Sequence, residues 1–156
     1  MTNSFSTPLR QTRSLLVVED SNEDFEALKR FLMRSPIAPN VVRCMNGEQA
    51  LAFLYRTGSY VDRKIAPRPG LIVLDLNLPG IDGREVLCQI KQDAKLKTIP
   101  IVVFTTSNNP KDIQECYQYG ANSYIVKPID FAQLKRDVQM LVDYWFEVAT
   151  LHDWED

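Results

Sequence analysis

Five side chains of complementary chemistry stand where short apolar runs stop. The run 15–18 ends at Glu19-Asp20, the run 71–74 at Asp75, the run 101–104 at Thr105 and the run 123–126 at Lys127. Three carboxylates brought together repel one another, and a single ammonium offsets only part of that charge. A hard divalent cation relieves the rest. Mg²⁺ takes an octahedral oxygen shell, commonly one or two carboxylates with waters and phosphate oxygens. Soft-metal chemistry is excluded, because there is no Cys-His cluster and the sole histidine, His152, lies near the end of the chain. A carboxylate beside a metal, an alcohol and an ammonium suits phosphoryl transfer, in which the acid takes the group covalently and the cations neutralise its oxygens. Each residue alone has a plainer explanation: a helix cap for Asp20, β-propensity for Thr105, a solvated surface for Lys127. Their common position at the ends of apolar runs sets them apart.

The elements that would position them follow from pattern. The runs are continuous rather than alternating, as in strands covered on both faces, and residues 40–45 form a further strand candidate. Helical patterns lie between. Ser21 with Glu23 and Asp24 opens the first, with Phe25, Leu28 and Leu32 on one face and Pro36 and Pro39 beyond its end. Asn46 and Gln49 open the second, with Ala50, Leu51, Phe53 and Leu54 as its stripe, and residues 57–69 form the longest irregular stretch. Asp82-Gly83 leads into Val86, Leu87 and Ile90. Pro110 fits a first helical position before Ile113, Cys116 and Tyr117, with Gly120 just past the end. Asp130 and Gln133 open the last helix, which the spacing of Phe131, Leu134, Val138, Leu141, Val142, Trp145 and Val148 carries to about residue 149.

Five strands alternating with five helices predict an α/β fold, a single doubly wound (βα)5 domain with a five-stranded parallel sheet and right-handed crossovers. Residues 1–13 read as a flexible arm, 14–149 as the domain and 150–156 as a tail. Ligands of such sheets bind outside the carboxyl ends of the strands, where the reactive residues fall. A chain of 156 residues, 45% hydrophobic and 24% charged, has the make-up of one ordinary globule. No apolar run approaches the length of a membrane span, and the first residues lack the apolar stretch of a signal peptide. The net charge of −2, without a basic run, argues against nucleic-acid binding. Cys44, Cys88 and Cys116 form no C-x-x-C pair and read as thiols of a reducing cytoplasm.

In order along the chain, Glu19-Asp20, Asp75 within L-I-V-L-D-L-N-L-P, Pro79, Asp82-Gly83, Thr105, Tyr124 and Lys127-Pro128 resemble the receiver domain of two-component response regulators. The resemblance runs from about residue 14 to 144. It implies the strand order 2-1-3-4-5 and an Asp75 that accepts a phosphoryl group from a histidine kinase. It further implies Mg²⁺ held by Asp20, Asp75 and the backbone carbonyl of Asn77, with Glu19 acting through water. Lys127 and Thr105 would take the phosphoryl oxygens, Thr105 and Tyr124 would form a switch, and the Lys127–Pro128 bond would be cis. The stretches R-P-G-L-I-V-L-D-L-N-L-P, D-G-R-E-V-L, F-T-T-S and V-D-Y-W look like the small regulators paired with cyanobacterial phytochrome kinases, which implies a phytochrome as the kinase.

The output would then pass to a protein that reads the phosphorylated surface, or to a phosphotransfer histidine in a relay. One departure is Thr106, where many receivers carry Ala or Gly; beyond plain subfamily variation, its bulk implies slower exchange with small phosphodonors or slower hydrolysis. An aspartyl-phosphate hydrolase is the rival from another class, but Asn77 stands where such enzymes carry a second acid able to exchange a proton. A flavin-binding module of the same topology would want a phosphate loop after the first strand, where the chain is acidic. A degenerate, scaffold-only receiver is at odds with the complete acceptor and metal set. Tyr144, Phe146, Leu151 and Trp154 leave more aromatic and apolar surface near the end than the sheet can cover, so a homodimer through the last helix is expected.

Overall fold

The computed structural model describes residues 13–154, so only Arg13 of the expected arm, and the tail as far as Trp154, fall within it. Strands β1 (Ser14–Val18), β2 (Asn40–Cys44), β3 (Leu71–Leu74), β4 (Ile101–Thr105) and β5 (Ser123–Val126) pair in parallel in the order β2-β1-β3-β4-β5. Between and after them lie α1 (Asn22–Leu32), α2 (Gly47–Tyr55), α3 (Gly83–Gln92), α4 (Pro110–Gln118) and α5 (Phe131–Asp143). The continuous apolar runs have a structural reason. Side chains alternate across a strand, and here both faces are covered. Leu15, Val17, Leu71, Val73, Val102 and Phe104 enter a core shared with α1 and α5. Leu16, Val18, Ile72, Leu74, Ile101 and Val103 enter a second core shared with α2, α3 and α4.

The expected caps Ser21, Asn46 and Asp130 act in the structure, and Asp82 and Asn109 cap α3 and α4 as well. Ser21 accepts from the Asp24 N–H, Asn46 from Gln49, Asp82 from Arg84, Asn109 from Lys111 and Asp130 from Ala132. Gln133 does not complete a reciprocal cap; its amide donates to Asp137 instead.

The end of the last helix differs from the expected pattern. After Asp143 the chain widens into a π-turn, Tyr144–Val148, in which the Ala149 N–H donates to the Tyr144 carbonyl at 2.7 Å. The extra residue in that turn shifts the inward position by one. Phe146 therefore enters the α1/α5 core at 8% exposure, while Trp145 is only half-buried and Val148 is 71% exposed. At the other end of α5, Phe131 also faces outward. The tail then returns: Leu151 is buried against the core containing β1, and Trp154 reaches the opposite core, with the Arg68 guanidinium 5.5 Å from its ring. The Lys127–Pro128 bond is trans rather than cis, since the described residues contain no cis peptide. From that trans backbone the Lys127 side chain reaches all of its partners.

Candidate functional site

The chain leaves β1 toward β2 on one side and returns to β3 on the other, so a crevice opens at the carboxyl ends of β1 and β3. Backbone bonds carry both strands into it: the Glu19 N–H donates to Cys44 at 3.0 Å and the Asp75 N–H to Val18 at 3.1 Å. Glu19 and Asp75 are buried and Asp20 faces solvent. One oxygen from each of the three lies within 4.8 Å of the others, an all-oxygen set suited to a hard cation. Arg43 holds the turn in place. Its Nε donates to the Glu19 carbonyl at 3.0 Å, its Nη1 to the Asn22 side chain at 2.8 Å, and its guanidinium lies 4.5 Å from the Phe25 ring centroid.

Lys127 comes from β5, anchored by its own N–H on the Thr105 carbonyl at 2.7 Å. Its Nζ donates to Glu19 Oε1, Asp24 Oδ2 and Asp75 Oδ2, each at 2.9 Å. An ammonium has three protons, and all are engaged. Burial alone would lower the Lys127 pKa, but Asp24, Asp75 and Glu19 outweigh it and hold the group firmly charged. Burial, then the neighbouring Asp75, push Glu19 up to about 8. For Asp75 burial also acts upward, but bonds from Glu19, Lys127 and the Asn77 N–H hold it below the usual carboxylate range. Asp75 has two fixed donors, the Asn77 N–H on Oδ1 and the Lys127 ammonium on Oδ2, and both favour its ionised form.

Asn77 donates its N–H to Asp75 Oδ1 at 3.1 Å, and its amide nitrogen lies 3.5 Å from the Thr105 hydroxyl and 3.4 Å from that of Thr106. Thr105 is fully buried at the end of β4, whereas Thr106 stands exposed beside it. The Tyr124 ring packs against the α2–α4 core, and its hydroxyl donates to the Ser107 carbonyl at 2.8 Å. Ser107 in turn donates to Asp112 at 2.6 Å, and Asp112 pairs with Arg84 at 2.8 Å. The loop after β4 is thus tied to both α3 and β5.

Glu19, Asp20, Asp75, Asn77, Thr105 and Lys127 converge, whereas Tyr124 stands apart on the next strand, opposite Val103. The sequence reading missed Asp24, taken only as a first-turn acid, and also Arg43 and the Ser107–Asp112–Arg84 chain. An acid four positions beyond Asp20, beside Glu23, was the available signal for Asp24. Nothing local marks the others.

The chain matches the response regulator receiver domain over residues 15–139, and it belongs to that family. Among curated proteins it is 42% identical to response regulator Rcp1 of Synechocystis sp. over 137 residues, covering 88% of this chain and 91% of that one. It is 37% identical to a probable methanogenesis regulatory protein, FilR2, of Methanothrix harundinacea, covering 84% and 82% of the two chains. Among solved structures, the phosphorylated cyanobacterial phytochrome response regulator RcpA superposes with a TM-score of 0.85 at 40% identity, covering 90% of this chain and 99% of that one. The Mn²⁺-bound form of Rcp1 gives 0.84 at 41% identity, with the same coverages.

Proposed function

We propose that this response regulator takes a phosphoryl group onto Asp75 from the phosphohistidine of a histidine kinase. The P–N bond to the kinase histidine breaks as a P–O bond to an Asp75 oxygen forms, and the imidazole leaves with the bonding pair and a proton from solvent. One observation carries the reading: Asp75 is a buried carboxylate kept ionised, with Lys127 on one oxygen and the Asn77 N–H on the other. Glu19, Asp20, Asp75 and the Asn77 carbonyl are the groups that would hold Mg²⁺, and their all-oxygen chemistry fits that ion. The ion, when bound, supplies positive charge for the phosphoryl oxygens. Thr105 and Lys127 lie within reach of those oxygens at the ends of β4 and β5. The Mn²⁺-bound relative supports the same metal site here.

The kinase we propose is a phytochrome, on the strength of the likeness to the phytochrome regulator RcpA, and the setting is the cytoplasm. The three cysteines are free thiols, and among the described residues no helix is long and apolar enough to cross a membrane. Output runs through Thr105 and Tyr124 to the face of α4, β5 and α5, read by a downstream protein. That face also supports a homodimer: Val126, Met140 and Tyr144 are 40%, 70% and 53% exposed along β5 and the end of α5. Phe146, buried in the core, is not part of such an interface.

Intact-mass measurement tests the acceptor. With acetyl phosphate and Mg²⁺ the protein gains one phosphoryl group, and the near-isosteric Asp75→Asn gains none while keeping its fold. Incorporation into Asp75→Asn would overturn the assignment. Phosphotransfer from purified kinases tests the partner, and a monomer mass by light scattering, with and without phosphorylation, would remove the dimer.

A further inference from the structure

Lys127 divides its three protons among carboxylates of unequal standing. Glu19 and Asp75 belong to the oxygen cluster that fits a divalent cation; Asp24 does not. Glu19 and Asp75 have side chains only 5% and 6% exposed at the floor of the crevice, whereas Asp24 is 44% exposed, on the first turn of α1. Its backbone N–H is fixed by the Ser21 cap, so the carboxylate has a set place from which to reach the ammonium 103 positions away in the chain.

We propose that Asp24 is a positioning residue that holds back part of the Lys127 charge from the phosphoryl group. This rests on the phosphoacceptor reading above. When a cation engages Glu19 and Asp75, and a phosphoryl oxygen replaces the Asp75 oxygen as an acceptor, Asp24 is the one anionic partner of Lys127 consumed by neither event. The ammonium then divides between α1 and the transferring group. Phosphoryl transfer passes through a state with charge on three equatorial oxygens, and a cation drawn away from them stabilises that state less. Asp24 therefore slows the arrival of the phosphoryl group. It affects hydrolysis less, because Lys127 meets the phosphoryl oxygens both before and during that step.

The experiment compares wild type, Asp24→Asn, Asp24→Glu and Glu23→Gln, all at saturating Mg²⁺ with acetyl phosphate as donor. Glu23 is a neighbouring exposed acid that makes no bond to Lys127, so Glu23→Gln measures the general effect of removing one negative charge. Asp24→Asn is expected to raise the phosphorylation rate constant by about three- to fivefold, the size expected of one half-exposed ion pair. Its hydrolysis rate constant changes by less than that. Asp24→Glu restores the wild-type rate, and Glu23→Gln stays at it. The inference fails if Asp24→Asn phosphorylates at or below the wild-type rate, if Glu23→Gln accelerates equally, or if hydrolysis changes by the same factor as phosphorylation. A wild type that takes no phosphoryl group at all is a different result, and it would overturn the phosphoacceptor reading instead.

Discussion

A Cβ added to Gly83 would stand 2.3 Å from the carbonyl oxygen of Asp75 and 2.6 Å from the Leu76 Cα. The start of α3 thus lies directly on the backbone that carries the acceptor, and the Gly83 N–H donates to the Leu76 carbonyl at 3.0 Å. Only a residue without a side chain permits that approach. Gly83→Ala must move either α3 or the end of β3, so it is expected to destabilise by about 1–3 kcal/mol despite the better helix propensity of alanine. It should also slow phosphate incorporation, because Asp75 shifts with its backbone. Urea unfolding and initial rates check both, and wild-type values for both would show that the helix retreats freely.

The Glu19 proton gives the metal-free protein a pH dependence. Its carboxyl ordinarily titrates near 4.5 and in the fold near 8. Between those values the folded state binds more protons than the unfolded one, so stability falls as pH rises through this window and is fully present below it. Glu19→Gln mimics the protonated form and should flatten the slope. Unfolding in the presence of a chelator, from about pH 5 to about pH 9, measures it; an equal slope in the variant would assign the dependence elsewhere.

Removing the Tyr124 hydroxyl tests the tie behind Thr105. Tyr124→Phe loses one bond to the Ser107 carbonyl and keeps the ring in the core, so the expected loss is about 0.5–1.5 kcal/mol. If the switch operates as proposed, Tyr124 adopts different side-chain positions in the phosphorylated and free proteins. Crystal structures of both forms with the same rotamer would rule it out.

The π-turn separates neighbours that a regular helix would not. Phe146→Ala empties part of a core and should destabilise by about 3 kcal/mol. Tyr144→Ala, at a site 53% exposed, should change stability by no more than about 0.5 kcal/mol while weakening self-association. Similar losses at both positions would contradict the shifted register, and an unchanged assembly in Tyr144→Ala would move the proposed interface.

What could be read from the sequence was whatever a local pattern encodes. Strands covered on both faces announce themselves as continuous runs, and caps such as Asn46 and Asp130 act within two or three residues of where they stand. The site was legible because parallel strands deliver their carboxyl ends to one edge, so Glu19, Asp75 and Lys127 had to meet. Asp24 was not, because its partner lies 103 positions away and its own neighbourhood explains it adequately as a helix-terminal acid. Phe146 was misplaced for a related reason: hydrophobic spacing assumes a constant helical period, and a π-turn changes that period without a local signature. The return of Leu151 to one core and of Trp154 to the other depends on surfaces built by several elements at once, including Gly70, where a Cβ would lie 3.0 Å from Leu151.

The strand order also places the balancing charge far along the chain from the acids it serves. Pairing β1 with β3 at the centre of the sheet brings Glu19 and Asp75 together while the partner they need, 108 and 52 positions further on, belongs to the edge strand. Closing the longer of those loops adds only a slowly growing entropic term. A nascent or partly unfolded chain in which β5 has not yet docked on β4 therefore presents a crevice of like charges with no ammonium in it. The final strand is what brings a neutralising ammonium to the acidic edge.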